Sequence, residues 1–236
     1  MIQEAIILAG GLGTRLRAAV PDKAKAMAPI DGRPFLEYQL QYLNKWGVRK
    51  VVVAAGYRSG QIMEYFGHAY KGMHIAYSVE EVPLGTGGAI ISALPLIKES
   101  VFLVLNGDTY FDVNLKRLDD FRKIHIATLC MALKFMDHPS RYGRVEINPS
   151  NRITGFREKA PAGEGPGLMN GGLYMIDRAL LEKYPMPERF SFEKEFLQKY
   201  FGKEAFYGMK CHSYFIDIGL PEDYKTAQND LKGFIH

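Results

Sequence analysis

The short apolar run Ala5 to Leu8 leads into Ala9-Gly10-Gly11-Leu12-Gly13-Thr14-Arg15-Leu16-Arg17, and this junction limits the fold more than any other stretch of the chain. A continuous apolar run of that length reads as a buried strand, and a glycine-rich turn at its carboxyl end is suited to holding phosphates. Glycine lets the main chain come close to an anion and turn its N–H groups inward. Arg15 adds a planar fork of donors that matches phosphate oxygens. Two better-known phosphate loops are excluded. A dinucleotide fingerprint would need glycine where Leu16 stands and an acid at the tip of the second strand, yet Val51 to Ala55 runs into Gly56-Tyr57-Arg58. A P-loop would need Gly-Lys-Ser or Gly-Lys-Thr, and neither occurs.

Apolar runs and amphipathic stretches alternate through the first half, which predicts a parallel sheet with crossover helices. Strands are expected at Val51–Ala55, near Ile75–Ser78 and at Val101–Leu105, with helices at Phe35–Trp46, near Gln61–Phe66 and at Gly88–Leu94. From Ala127 the texture changes to strands with more glycine and turn residues: Thr128–Lys134, Arg144–Ile147, Ile153–Phe156, Gly172–Ile176 and His212–Ile216. Helices are expected there at Ala179–Lys183, Phe192–Tyr200 and Pro221–Leu231. The fold class is therefore α/β, a Rossmann-like, doubly wound, mostly parallel sheet with an α+β second half. The 236 residues suit one domain, 1–236, with halves at about 1–126 and 127–236. Ala160 to Gly167, with three glycines and two prolines, reads as a flap over a site more readily than as a linker.

Charge and composition narrow the function further. The net charge is +4 and the 30 basic residues are spread without a clustered run, so nucleic-acid binding is not suggested, while a local phosphate site fits. No signal peptide opens the chain, and no apolar run approaches the roughly 20 residues of a membrane span. Cys130 and Cys211, both in apolar neighbourhoods, read as reduced core residues and not as a disulfide or metal site. A reducing cytoplasm is the expected location. Oligomeric state is left open, a homo-oligomer among the options.

Residues just past each strand carry the most weight in an open α/β sheet. Val101–Leu105 ends in Asn106-Gly107-Asp108, and the strand ending at Ile216 delivers Asp217. Either aspartate alone reads as a turn former or helix cap. Ahead of the first lies Glu80-Glu81-Val82-Pro83-Leu84-Gly85-Thr86-Gly87-Gly88, in plain terms a glycine-rich turn opening a helix.

Taken together, Gly-Gly-x-Gly-Thr-Arg-Leu, the downstream Lys25 before Met27-Ala28-Pro29-Ile30, Pro83-Leu84-Gly85-Thr86-Gly87-Gly88, Asn106-Gly107-Asp108 and the run Phe215 to Tyr224 resemble, in order, the motifs of the sugar-phosphate nucleotidyltransferases. That resemblance implies the nucleotide-diphospho-sugar transferase fold, with a nucleotide-binding first half and a sugar-phosphate-binding second half. It implies an enzyme that joins a sugar 1-phosphate to the nucleoside monophosphate of an NTP and releases pyrophosphate. It also implies that Leu8, Gly10, Gly11, Gly13, Thr14, Arg15, Lys25, Glu80, Pro83, Gly85, Thr86 and Gly107 bind the nucleotide. Arg15, Lys25 and Asp108 would be catalytic, and Asp108 and Asp217 would bind Mg²⁺, an ion that takes oxygen ligands and bridges carboxylates to phosphates.

In the second half, Tyr142-Gly143, Phe156-Arg157-Glu158-Lys159 and Asn170-Gly171-Gly172-Leu173-Tyr174 resemble the same family's acceptor-site segments. Carried across, Glu158 and Asn170 would bind sugar hydroxyls and Lys159 the acceptor phosphate. Gly143 would leave room for the ring, with Tyr142 and Gly171 beside it. Glu158 and Lys159 alone read equally as a solvated charge pair.

The base is read from Glu80. A carboxylate only accepts hydrogen bonds, and guanine offers adjacent N1–H and N2–H₂ donors, whereas uracil and thymine flank one N–H with carbonyls. GTP is favoured if Glu80 faces the base edge, although Glu80 and Glu81 read equally as solvated side chains. The whole pattern is most similar to bacterial D-glycero-D-manno-heptose 1-phosphate guanylyltransferases, enzymes of GDP-heptose and polysaccharide biosynthesis. Mannose 1-phosphate with GTP, and glucose or amino-sugar 1-phosphates with UTP, dTTP or CTP, are the alternatives, and a catalytically silent sugar-nucleotide-binding subunit is a remote one. One departure is that the usual Pro-Lys-Pro-Met becomes Ala24-Lys25-Ala26-Met27, which loosens the loop and keeps its lysine.

Overall fold

The computed structural model describes residues 2–11, 13–16, 20–137, 142–158 and 165–234. In chain order the strands are β1 (Glu4–Ala9), β2 (Pro29–Ile30), β3 (Arg33–Pro34), β4 (Lys50–Ala55), β5 (Ala69–Tyr70), β6 (Met73–Val79) and β7 (Val101–Asn106). They continue with β8 (Thr109–Phe111), β9 (Leu129–Met136), β10 (Arg144–Ile147), β11 (Ile153–Arg157), β12 (Gly167–Asp177), β13 (Phe206–Cys211) and β14 (Phe215–Asp217). The helices are α1 (Phe35–Lys45), α2 (Ser59–Phe66), α3 (Gly85–Ala93), α4 (Leu115–His125), α5 (Arg178–Lys183), α6 (Gln198–Tyr200) and α7 (Pro221–Asp230).

Ten strands form one sheet whose main path runs β11-β10-β12-β7-β1-β4-β6-β5. β7, β1, β4 and β6 are parallel, as the apolar runs predicted. β12 runs antiparallel to both β7 and β9, and β13 adds parallel to β9. The central strands are apolar on both faces because both are covered. Ile7, Val51 and Val53 point into a core completed by α1, α2, α4 and α7, while Ile6, Val52 and Ala54 point into one completed by α3, α5 and the aromatics Phe192, Phe196 and Tyr200.

Several elements differ from the sequence reading, among them the short strands β2, β3 and β5, which were not expected. α4 was not foreseen: only Leu115 and Leu118 of its apolar positions are buried, and charged residues surround them, so its stripe is thin, although Asn114 caps it by accepting the Arg117 N–H at 2.9 Å. The strand expected at His212–Ile216 is the shorter β14, Phe215–Asp217, paired with the unforeseen β8, and the chain before it forms a further unforeseen strand, β13, paired with β9. The helix expected over Phe192–Tyr200 is a π-helical segment, Phe192–Leu197, followed by α6.

Candidate active site

Strand topology brings the two distant aspartates together. β7 ends in a tight turn whose Gly107 N–H donates to Leu8 O at 3.0 Å, and a Cβ on Gly107 would fall 2.5 Å from that oxygen, so only glycine lets the turn dock on β1. β8 then pairs antiparallel with β14, Thr109 opposite Asp217, and the Ile218 N–H donates to Asp108 O at 2.9 Å. Asp108 and Asp217 therefore face one point.

At that point stands Lys25, carried by the 3₁₀ turn Lys25–Met27. Its Nζ lies 2.5 Å from Asp108 Oδ2 and 3.9 Å from Asp217 Oδ1. Burial, and then the charge of Asp108, push the Asp217 carboxyl up to about 6, against the opposing pull of Lys25 and of the Gly219 N–H that its Oδ1 accepts at 2.6 Å. Two carboxylates thus converge on the one ammonium of Lys25.

Beside this cluster a cavity of about 270 Å³ opens, lined by Leu8, Gly10 and Gly11 from the end of β1, by Glu80, Pro83, Gly85 and Thr86 from the entry to α3, and by Asp108. Gly13 packs on the Lys25 side chain, where a Cβ would lie 3.1 Å from Lys25 Cβ, and its φ of +59° is a glycine conformation. Thr14 and Arg15 follow on the same turn, both exposed. Glu80 is half-buried, its Oε2 accepting the Leu84 N–H at 3.1 Å, and burial raises its carboxyl above the usual range. The opening loop, Glu80 and Asp108 thus share one cavity, with Lys25 and Asp217 beside Asp108.

The second-half residues gather next to the acids. The Tyr142 ring meets Phe215 edge-on at 5.6 Å, Phe215 meets Phe111 at 5.3 Å, and Gly171 packs against the Phe111 ring. Gly143 O accepts the Asn170 N–H at 2.7 Å. Glu158 lies 3.2 Å from Lys194 Nζ, so it pairs with an unforeseen lysine; Lys159 falls outside the described residues. The Asn170 amide is engaged at both ends, donating to Tyr174 OH at 2.6 Å and accepting from Gly172 N–H at 3.0 Å. Thr86, expected at the nucleotide, directs its hydroxyl away, donating to Glu193 Oε2 at 2.6 Å.

Two residues that the motifs did not mark hold this site in place. Gln39, 1% exposed in α1, donates from Nε2 to Asn106 O at 2.8 Å and Thr109 O at 2.7 Å, gripping both ends of the turn that carries Asp108. Glu193 accepts from Thr86 and from Ser191 Oγ at 3.2 Å, with Tyr174 OH at 3.5 Å, and so ties the nucleotide-side helix to the strand bearing Asn170. The available signal was a polar residue inside an apolar helical stripe, Leu36-Gln39-Leu40-Leu43, and an acid between buried phenylalanines.

Comparison with known proteins shows the family. The family model described as nucleotidyl transferase matches residues 4–233. The chain is 46% identical over 98% of its length to D-glycero-alpha-D-manno-heptose 1-phosphate guanylyltransferase of Aneurinibacillus thermoaerophilus, covering 100% of that protein. It is 43% identical to the enzyme of the same name from Campylobacter jejuni, over 94% of this chain and 96% of that one. The crystal structure of HddC from Yersinia pseudotuberculosis complexed with GMP-PN superposes with a TM-score of 0.84 at 35% identity, covering 96% of this chain and 98% of the other. Among the described residues, no helix is long and apolar enough to cross a membrane.

Proposed function

Because this chain belongs to the nucleotidyl transferase family, we propose that it transfers GMP from GTP to D-glycero-α-D-manno-heptose 1-phosphate and releases pyrophosphate. The observation that carries this reading is the Asp108–Lys25–Asp217 cluster, whose Asp108 lines a cavity that also presents Glu80. The names of the two guanylyltransferase relatives support both the base and the acceptor.

Members of this family generally use a divalent metal, and the residues here fit Mg²⁺. Two carboxylates, Asp108 and Asp217, converge on one cationic group, the Lys25 ammonium. That suits an ion held by one or two carboxylates plus substrate phosphates. Bound to Asp108 and Asp217, Mg²⁺ supplies charge neutralisation for the phosphates. The rest of the work falls to the chain. A phosphate nucleophile is already anionic and needs no strong base, so the acceptor oxygen attacks the α-phosphorus directly, and catalysis is positioning plus charge stabilisation.

Lys25 turns to the α-phosphate as charge develops there, and Arg15, exposed on the glycine turn, holds the departing pyrophosphate. Main-chain N–H groups of Gly10, Gly11, Gly13 and Thr14 line the phosphate path. Glu80 accepts from guanine N1–H and N2–H₂. Glu158, Lys159 and Asn170, with Tyr142, Gly143 and Gly171 beside them, form the acceptor side. GTP is a cytoplasmic substrate and both cysteines are free thiols, which supports a cytoplasmic location.

Pyrophosphate release measured over GTP, ATP, UTP, CTP and dTTP against heptose, mannose and glucose 1-phosphates tests the reading. Turnover fastest with GTP and the heptose 1-phosphate is expected. A pyrimidine nucleotide as preferred donor would reject the base assignment.

A further inference from the structure

The loop that presents Lys25 is held by a residue from outside it. Gln61, in the first turn of α2, accepts the Ala24 N–H on Oε1 at 3.0 Å and donates from Nε2 to Asp22 O at 2.9 Å. Both ends of one planar amide thus grip main-chain groups two residues apart, directly before Lys25. The orientation is forced, because only oxygen can receive the N–H and only nitrogen can give to the carbonyl. Arg58, just before α2, approaches the Asp22 carboxylate at 3.5 Å, but that side chain is 89% exposed and the pair contributes little.

Ala24 is buried and has φ −59° and ψ 145°. Those are angles a proline would impose by itself, and alanine does not. The N–H that alanine retains is the one Gln61 captures. The loop's order, which a ring at position 24 would supply covalently, is supplied here by a side chain from another helix.

Resting on the function proposed above, we infer that Gln61 is a positioning residue for Lys25. It fixes the Asp22–Ala24 main chain so that the ammonium is delivered to the phosphate at which charge develops. It touches neither substrate nor metal-type acids, and its effect passes through the lysine.

The inference makes three linked demands on steady-state kinetics of pyrophosphate release. Gln61→Met keeps length and loses both hydrogen bonds, and a loop displaced by a fraction of an ångström should lower kcat about tenfold with a smaller change in the KM for GTP. In a Lys25→Ala background the same substitution should change kcat by less than about twofold, since effects that run through one group do not add. In Gln61→Ala the vacated space admits a ring, so adding Ala24→Pro should recover kcat to within about threefold of the unmodified enzyme. Alone, Ala24→Pro presses its ring on Gln61 Oε1 and should lower kcat.

Amide hydrogen exchange supplies a readout independent of turnover: the Ala24 N–H should be protected in the unmodified protein and lose protection in Gln61→Met. Wild-type kcat in Gln61→Met, an undiminished tenfold loss in the Lys25→Ala background, or an Ala24 amide that exchanges equally fast in both proteins would each overturn the inference. If the unmodified chain released no pyrophosphate with any substrate pair, the proposed function would fall, while the Ala24 exchange would still report on the clamp.

Discussion

Lys25 Nζ lies 2.5 Å from Asp108 Oδ2, a charge-assisted contact between residues 83 positions apart. The lysine is thereby stored against the acids and is within reach of any phosphate that a cation between Asp108 and Asp217 would draw in. Lys25→Ala and Asp108→Ala should therefore each lower kcat by about 10²–10³, the usual cost of one preorganised electrostatic contact. Steady-state assays with circular dichroism to confirm folding check this, and near-normal turnover in either variant would remove that residue from the mechanism.

Asp217 is the more buried of the two acids, and its burial, followed by the charge of Asp108, raises its carboxyl despite the nearby Lys25. Asp217→Asn should raise the Mg²⁺ concentration for half-maximal turnover about tenfold or more, and a chelator should abolish turnover of the unmodified enzyme. A Mg²⁺ titration of both proteins decides the point. Equal half-saturation would show that Asp217 does not hold the ion.

Gln39 gives two hydrogen bonds to carbonyls buried around the Asp108 turn. Gln39→Leu matches its volume and strands both acceptors, at about 1–3 kcal/mol. Gln39→Glu should be worse, because an ionised carboxylate would then face two carbonyl oxygens and repel them. Thermal unfolding should rank the unmodified protein above the leucine variant and both above the glutamate variant. The reverse order of the two variants would show that packing at this position, and not donation, holds the turn.

The parallel half of the sheet was legible because β1, β4 and β7 are covered on both faces and read as unbroken apolar runs. α4 was not, since a helix with few buried positions writes little apolar signal into its sequence. The bounds of β14 were hidden for another reason: they depend on β8, three residues long, whose identity as a strand comes only from its partner. Within the candidate site, the meeting of Lys25, Asp108 and Asp217 was legible only through the family resemblance, since either aspartate alone reads as a turn former or helix cap. Gln39 and Gln61 were not, because each bonds to main-chain atoms of a remote loop, and a main-chain carbonyl leaves no mark of residue type.

Glu80 accepts one bond from the Leu84 N–H and retains acceptor capacity at the cavity. Glu80→Gln replaces one acceptor edge with a donor that opposes guanine N1–H or N2–H₂. Losing that match at about 1–3 kcal/mol should lower kcat/KM for GTP roughly 5- to 150-fold. ATP, CTP and UTP should lose far less, so the base preference should narrow. A uniform fall across all nucleotides would mean that Glu80 shapes the loop and does not read the base.

Glu193 is half-buried beside the site, and desolvation is the largest cause that raises its carboxyl above the ordinary 4.5, with the Thr86 and Ser191 hydroxyls opposing it. A carboxyl whose folded value exceeds its unfolded one binds protons more tightly in the native state. Its contribution to stability is thus full below the ordinary value and declines as pH rises through the raised one. Glu193→Gln keeps the carbonyl acceptor for Thr86 and cannot ionise, so it lacks that decline. Relative to the unmodified protein, the variant should gain Tm as pH is raised from about 4.5 toward neutrality. Thermal unfolding of both proteins across that range measures the difference directly. A gap between the two that stays constant, or that moves in favour of glutamate as pH rises, would show that the carboxylate is stabilised in its charged form by the Thr86 and Ser191 hydroxyls and carries no burial penalty.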